Sequence, residues 1–204
     1  MDVLRLLLTG FAPFGGESIN PSWLVANALA EAPPEGVAIT AVELPIDPCV
    51  ARDVLLPEWR RRRFDAWLGL GQAGGRSSVN VERVAVNLLQ DPVASGAETR
   101  VLDGEPDGYV SRLAVAELAR SIRDAGVQAD VSYSAGTYLC NATFYAMEHE
   151  QRRDGRGCAL FVHLPYVPEQ AAGKPASTAT LAFELQLRGV RAAIEWLRDR
   201  AASP

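Results

Sequence analysis

The chain has 204 residues, 48% hydrophobic and 22% charged, with 20 Lys and Arg against 25 Asp and Glu for a formal net charge of −5. That length suits a single domain over residues 1–204 with a core of its own, and the composition is that of a soluble globular protein rather than a disordered or membrane one. The negative balance gives no electrostatic pull toward nucleic acid or anionic lipid, which argues against both as partners.

The apolar run at the N-terminus is interrupted by Arg5 and is too short for a secretory signal or a membrane span. It predicts a first core strand over Leu4 to Thr9. Gly10 to Gly16 then reads as a rigid turn exposing Phe11 and Phe14, because Gly and Pro fix the backbone and leave the two aromatics little bulk to hide behind. Asn20 and Pro21 read as N-cap and first helical residue of a helix through Ala30. After a Pro-rich break, Val37 to Leu44 reads as a second strand. Asp47 and Pro48 then cap a helix ending in the basic run Arg60 to Arg63, where cations suit the helix dipole.

Ala66 to Leu70 predicts a short strand, followed by Gly69-Leu-Gly-Gln-Ala-Gly74. This satisfies the literal dinucleotide pattern, but the Val-rich stretch after Gly74 reads as a strand where the motif requires a phosphate-cradling helix. The glycines are expected instead to let backbone approach a small ligand. Val79 to Asn87 alternates, putting Asn80, Glu82, Val84 and Val86 on one face. An acidic side chain among apolar neighbours must be paired or must orient a catalytic group, which singles out Glu82. Gln90 to Tyr109 reads as a long irregular loop, a lid or an interface.

Ser111 to Ala125 has helical spacing, and Ala129 to Ser132 reads as a strand entering a Gly-containing turn that opens a helix with Cys140 in its first turn. A thiol there meets unpaired N–H groups and the positive end of the helix, which would lower its pKa and make it a nucleophile. Two histidines could serve as its base. His149 lies nine residues on, roughly 13 Å along a helix axis, and reads as a surface helix-end residue. His163 ends the apolar strand beginning at Cys158, and strand ends are where open α/β sheets carry their sites. Ser177 to Arg200 predicts a closing amphipathic helix.

The alternation of strand and helix predicts an α/β fold of three layers with a largely parallel sheet. Three cysteines, odd in number and widely spaced, point to free thiols in a reducing cytoplasm, with Cys49 and Cys158 as small buried hydrophobes. His and Cys are too sparse for a zinc site, so no metal is expected.

Thr9 to Gly16 with Ile19-Asn-Pro21, Gly71 to Arg76, Glu82 to Asn87, Ala135 to Asn141 and Val162 to Glu169 together resemble, in order and across the chain, the pyroglutamyl peptidase I family of cysteine exopeptidases. The resemblance implies a single-domain three-layer α/β/α sandwich, usually a homotetramer, with no metal or organic cofactor. It implies a Cys140–His163–Glu82 triad that removes N-terminal pyroglutamate from peptides through an acyl-thioester. It also implies an apolar lactam pocket walled by Phe11 and Phe14, with Gln72 bonding the lactam through its backbone and Asn20 and Tyr138 in the same site. Two departures stand out. Asn80 occupies a position usually Ser or Thr. The family's arginine about ten residues past the glutamate is missing from Leu88 to Pro92, unless Arg76, Arg83 or Arg100 supplies the cation. That change leaves open a weak or silent relative that binds or hydrolyses another small cyclic amide.

Overall fold

The computed structural model describes residues 3–90 and 98–201. The central sheet is built from β1 (Leu4–Phe11), β2 (Val37–Leu44), β3 (Ala66–Gln72), β4 (Val79–Glu82), β9 (Ala129–Ser132) and β10 (Cys158–Leu164), in the order β2-β1-β3-β10-β4-β9. The first four in that order run parallel; β4 is antiparallel to β10 and parallel to β9, so the sheet is mostly parallel. Two small antiparallel two-stranded sheets accompany it, β5 (Val84–Val86) with β8 (Gly108–Val110) and β6 (Leu89–Gln90) with β7 (Glu98–Thr99).

Side-chain alternation along the strands divides the core into two layers. Leu6 and Leu8 of β1, Leu68 and Leu70 of β3 and Leu160 and Val162 of β10 pack with α1 (Pro21–Glu31), α3 (Val115–Asp124) and α5 (Phe183–Ala201). The intervening residues Leu7, Phe11, Trp67, Ala159 and Phe161 pack against α2 (Leu56–Arg61) and α4 (Leu139–Asp154). A largely parallel sheet covered on both faces is the expected consequence of strands this uniformly apolar.

Asn20 caps α1 as the sequence suggests, its Oδ1 accepting from the Ser22 N–H at 3.0 Å with Pro21 following. Other elements differ. Asp47 makes a turn, accepting from the Cys49 N–H, and regular helix begins later as a π-helical stretch, Ala51–Leu55, ahead of Pro57, which has no N–H to donate. The basic run is not simply solvated, because Arg60 forms a bidentate pair with the buried Glu150 of α4. The alternating stretch breaks at Arg83, whose N–H bonds Ser132 and whose carbonyl accepts from Ser111, separating β4 from β5 and delaying α3 to Val115. The closing helix starts at Phe183 because Thr180 and Leu181 pair with Tyr166. The stretch from Gln90 to Tyr109 contains the paired β7 and β8 and is held by Asn87, whose amide bonds Leu102 and Glu105; its positions 91–97 lie outside the described residues. No described helix is long and apolar enough to cross a membrane.

Candidate active site

Odd-numbered residues of β10 face α4, and this carries His163 to the side of the sheet where α4 begins. Asn80, Cα partner of His163 on the antiparallel β4, stands two residues from Glu82. His163 Nδ1 and Glu82 Oε1 are 2.7 Å apart, both side chains buried. Since the carboxylate only accepts, Nδ1 carries the hydrogen and Nε2 is left as the free base. Burial holds the His163 pKa below its ordinary value against the opposing pull of Glu82, so the resting imidazole is neutral.

Cys140 enters from the opposite direction. It sits in the first turn of α4, whose N-cap residue Tyr138 makes no side-chain capping bond, leaving the first N–H groups of the helix without a side-chain acceptor from the cap. Its thiol rests over Gly71, the Cα partner of His163: a Cβ at Gly71 would lie 2.7 Å from Cys140 Sγ. Gly69 likewise makes room for Trp67 and Phe161, and Gly74 for the Tyr166 ring. At these three glycines the missing Cβ makes room for protein side chains. The expected lowered thiol pKa is overturned. Burial, reinforced by the nearby Glu82 charge, pushes Cys140 up to about 12, against the opposing pull of its own backbone N–H and of Arg76.

Cys140 and His163 share a cleft of about 450 Å³ with Phe14, Gln72, Gln90, Tyr138 and the turn from Ala135 to Leu139. None of its described lining residues is Asp, Glu, Lys or Arg. Two of the expected pocket residues stand apart from that lining. Phe11 is only 3% exposed and packs in the core beneath the turn, since β1 extends to include it, whereas Phe14 is 39% exposed. Asn20 is buried, its Nδ2 donating to the Ala12 carbonyl at 3.0 Å, so it braces the aromatic turn from below. His149 is part-buried rather than at the surface, with Nδ1 2.9 Å from the Tyr109 hydroxyl.

Several contributors had gone unassigned. Gln170 Nε2 donates to Gln72 Oε1 at 2.8 Å and to Glu17 and Ile19 at 3.3 Å, joining the cleft wall to the aromatic turn. Asn141, beside Cys140, exchanges hydrogen bonds with Val86 and also donates to Leu88, locking α4 to β5. Gln90 accepts from Thr137 in the turn before α4. Of the three arginines that could replace the missing cation, Arg76 reaches Glu82, while Arg83 and Arg100 are engaged with Leu113 and Asp107. Asp91 and Pro92 lie outside the described residues. Among the described residues no group of three or more His, Cys, Asp and Glu side chains is arranged to hold a metal.

A cysteine at a helix start, facing a carboxylate-oriented imidazole across an uncharged cleft on an α/β sheet, defines a thiol hydrolase of the cysteine peptidase class. Comparison with known proteins is specific beyond that class. The pyroglutamyl peptidase family model matches residues 4–200, and the chain belongs to that family. A pyrrolidone-carboxylate peptidase from Gloeobacter violaceus is 38% identical over 201 residues, 96% of this chain and 98% of its own. The crystal structure of pyrrolidone carboxyl peptidase from Fervidobacterium islandicum superposes with a TM-score of 0.90 at 36% identity, covering 96% of this chain and 99% of that one. Pyroglutamyl peptidase I from Bacillus amyloliquefaciens gives 0.89 at 32% identity, covering 96% and 95%.

Proposed function

We propose that the chain is a cysteine exopeptidase that hydrolyses the amide bond after an N-terminal pyroglutamyl residue of peptides, with Cys140 as nucleophile, His163 as base and Glu82 as its orienting carboxylate. The observation that carries the reading is the 2.7 Å His163–Glu82 hydrogen bond at the edge of the cleft that Cys140 also lines. Sγ attacks the pyroglutamyl carbonyl while His163 Nε2 accepts the thiol proton. The carbonyl oxygen takes the negative charge and is held by backbone N–H groups at the start of α4, including that of Cys140. His163 then protonates the leaving amine nitrogen as the C–N bond breaks, giving an acyl-thioester. Water, deprotonated by His163, attacks the thioester; pyroglutamate leaves and Sγ regains its proton.

An uncharged cleft favours a neutral lactam over a free N-terminus, whose ammonium would be stranded without a partner. Phe14 and Tyr138 supply its aromatic surface, Gln72 its backbone bonds to the lactam, and Phe11 and Asn20 act by holding the turn that carries Phe14. The resemblance also implies a homotetramer, tested by sedimentation, and the three free thiols suit a reducing cytoplasm. The direct test is fluorophore release from an L-pyroglutamyl amide by wild type and Cys140→Ala, with a prolyl amide as control. Release confined to the pyroglutamyl substrate and lost in the variant is the expected result; none above background in folded wild type would refute the reading.

A further inference from the structure

We infer that Arg76 is a positioning residue for the reaction: its guanidinium holds the Glu82 carboxylate against His163 and ties that pair to the loop leading into the nucleophile helix. The inference rests on the triad reading above. Arg76 lies on the connection between β3 and β4. Its Nη1 donates to Glu82 Oε1 at 2.8 Å, the same oxygen that faces His163 Nδ1, and its Nη2 donates to the Ser134 carbonyl at 3.2 Å. One side chain thus bridges the triad's acid to the segment that sets where α4, and with it Cys140, begins.

The position of Glu82 depends heavily on this contact. Its side chain is fully buried, and its second oxygen, Oε2, has no hydrogen-bond partner among the described residues. A carboxylate in such a place needs a partner of opposite charge, and removing that partner leaves a poorly compensated buried charge free to shift. Without Arg76 the carboxylate would itself be held only by its one bond to the imidazole, and the Nδ1–H that fixes the tautomer would lose its rigid acceptor. The ionisable or charged groups facing His163 are Glu82 from β4, Arg76 from the β3–β4 connection and Cys140 from α4. Arg76 opposes protonation of His163 and favours ionisation of Cys140, both through its charge. It does not line the cleft, so it acts on turnover rather than on substrate affinity.

The test compares wild type with Arg76→Met and Arg76→Lys in the full chain, measuring kcat, KM and the pH profile of kcat/KM on an L-pyroglutamyl amide. The rate of Cys140 alkylation by iodoacetamide and the thermal midpoint are measured alongside. Arg76→Met is expected to lower kcat about 10- to 100-fold with KM nearly unchanged, as misplaced catalytic groups do. Its acid limb should move about one pH unit higher, because a neighbour that opposed the imidazolium is gone. Arg76→Lys should recover the acid limb through its charge and only part of kcat, since an ammonium lacks the planar fork that reaches both Glu82 and Ser134. If Arg76→Met does not fold, Arg76→Gln, which keeps a donor toward Glu82 without charge, carries the same test of the acid limb. A kcat within about two-fold of wild type, or a loss with the acid limb unmoved and no recovery in Arg76→Lys, overturns the inference. Wild type inactive on pyroglutamyl amides refutes the proposed function instead. Alkylation needs no substrate and still decides about Arg76: it should be at least about three-fold slower at mildly alkaline pH in Arg76→Met, and equal rates overturn the inference.

Discussion

Gly71→Ala isolates the closest approach in the site. The added methyl would lie 2.7 Å from Cys140 Sγ and 3.0 Å from two atoms of the Phe161 ring. Unstrained carbon contacts sit at about 3.5–4.0 Å, so relief requires displacement of roughly 1 Å, shared between the thiol and the ring. Phe161 has little freedom, being fully buried with Trp67 and Phe144 rings each 5.9 Å away. The displacement therefore falls mainly on Sγ, which opens toward the cleft. Overpacking of this kind costs about 1–3 kcal/mol of stability, which for a chain of this size lowers the thermal midpoint by about 2–12 °C. With Cys140 as the proposed nucleophile, moving Sγ by about 1 Å is expected to cost about 100-fold in kcat. Gly69→Ala is the control, because its methyl meets Trp67 and Phe161 but not the thiol; it should lose stability with a much smaller loss of kcat. The assay is fluorophore release from a pyroglutamyl amide at saturating substrate, with unfolding followed calorimetrically. A Gly71→Ala enzyme that turns over at the wild-type rate would refute the placement of Sγ over Gly71.

Gln170→Ala removes the bonds that join Gln72 to the aromatic turn at Glu17 and Ile19, so KM should rise about five-fold with a smaller change in kcat and a stability loss of about 1–3 kcal/mol; an unchanged KM would detach that turn from substrate binding. Cys140 and Cys158 are both pushed by burial to about 12, so each is neutral in the folded chain well above the ordinary thiol value of 9.0. Their contribution to stability is complete below about pH 9 and is lost as pH rises toward about 12, because the unfolded thiols ionise first. Thermal midpoints should fall above about pH 9, less steeply in Cys158→Ala; identical slopes would contradict the assignment. On the acid side the depressed His163 works in the opposite sense, its contribution being lost as pH falls below its unfolded value of 6.5 and through its folded one.

The central strands β1, β3 and β10 were legible because they are buried on both faces and read as apolar runs, and α1 because Asn20 and Pro21 mark its start chemically. Cys140 and His163 were singled out as candidates by position, a thiol at a helix start and a histidine at a strand end, and Glu82 by its place among apolar neighbours. Long-range contacts were not legible. Phe11 looked exposed between glycines and a proline, yet the register with β2 extends β1 through Phe11 and buries it. At Gly69 and Gly71 the missing Cβ atoms make room for Phe161 from a strand neighbour and Cys140 from a distant helix, neighbours that the local sequence does not name. His149 looked like a surface residue because Tyr109, its partner, lies forty positions away on β8. No local pattern reports such pairings.

The position of Cys140 at the start of α4 suggests a standing thiolate, whereas burial of the thiol beside Glu82 favours the neutral form. A helix terminus stabilises a nearby charge by about 0.3–1 kcal/mol. Burial and the Glu82 charge move the thiol from 9.0 to about 12, a preference for the neutral form of about 4 kcal/mol. His163 is neutral as well, so the resting pair holds one proton on sulfur and none on Nε2. Proton transfer must then accompany formation of the C–S bond, and the negative charge appears on the substrate oxygen without a long-lived charge on sulfur. On this view the N–H groups of α4 act on the oxyanion, where donors fixed in advance are worth most. Unliganded Cys140 should accordingly alkylate at about pH 6 no faster than a free thiol, while pyroglutamyl amide turnover proceeds at the same pH. A thiolate absorbance band in the resting enzyme at that pH, absent from Cys140→Ala, would show instead that the helix terminus outweighs burial.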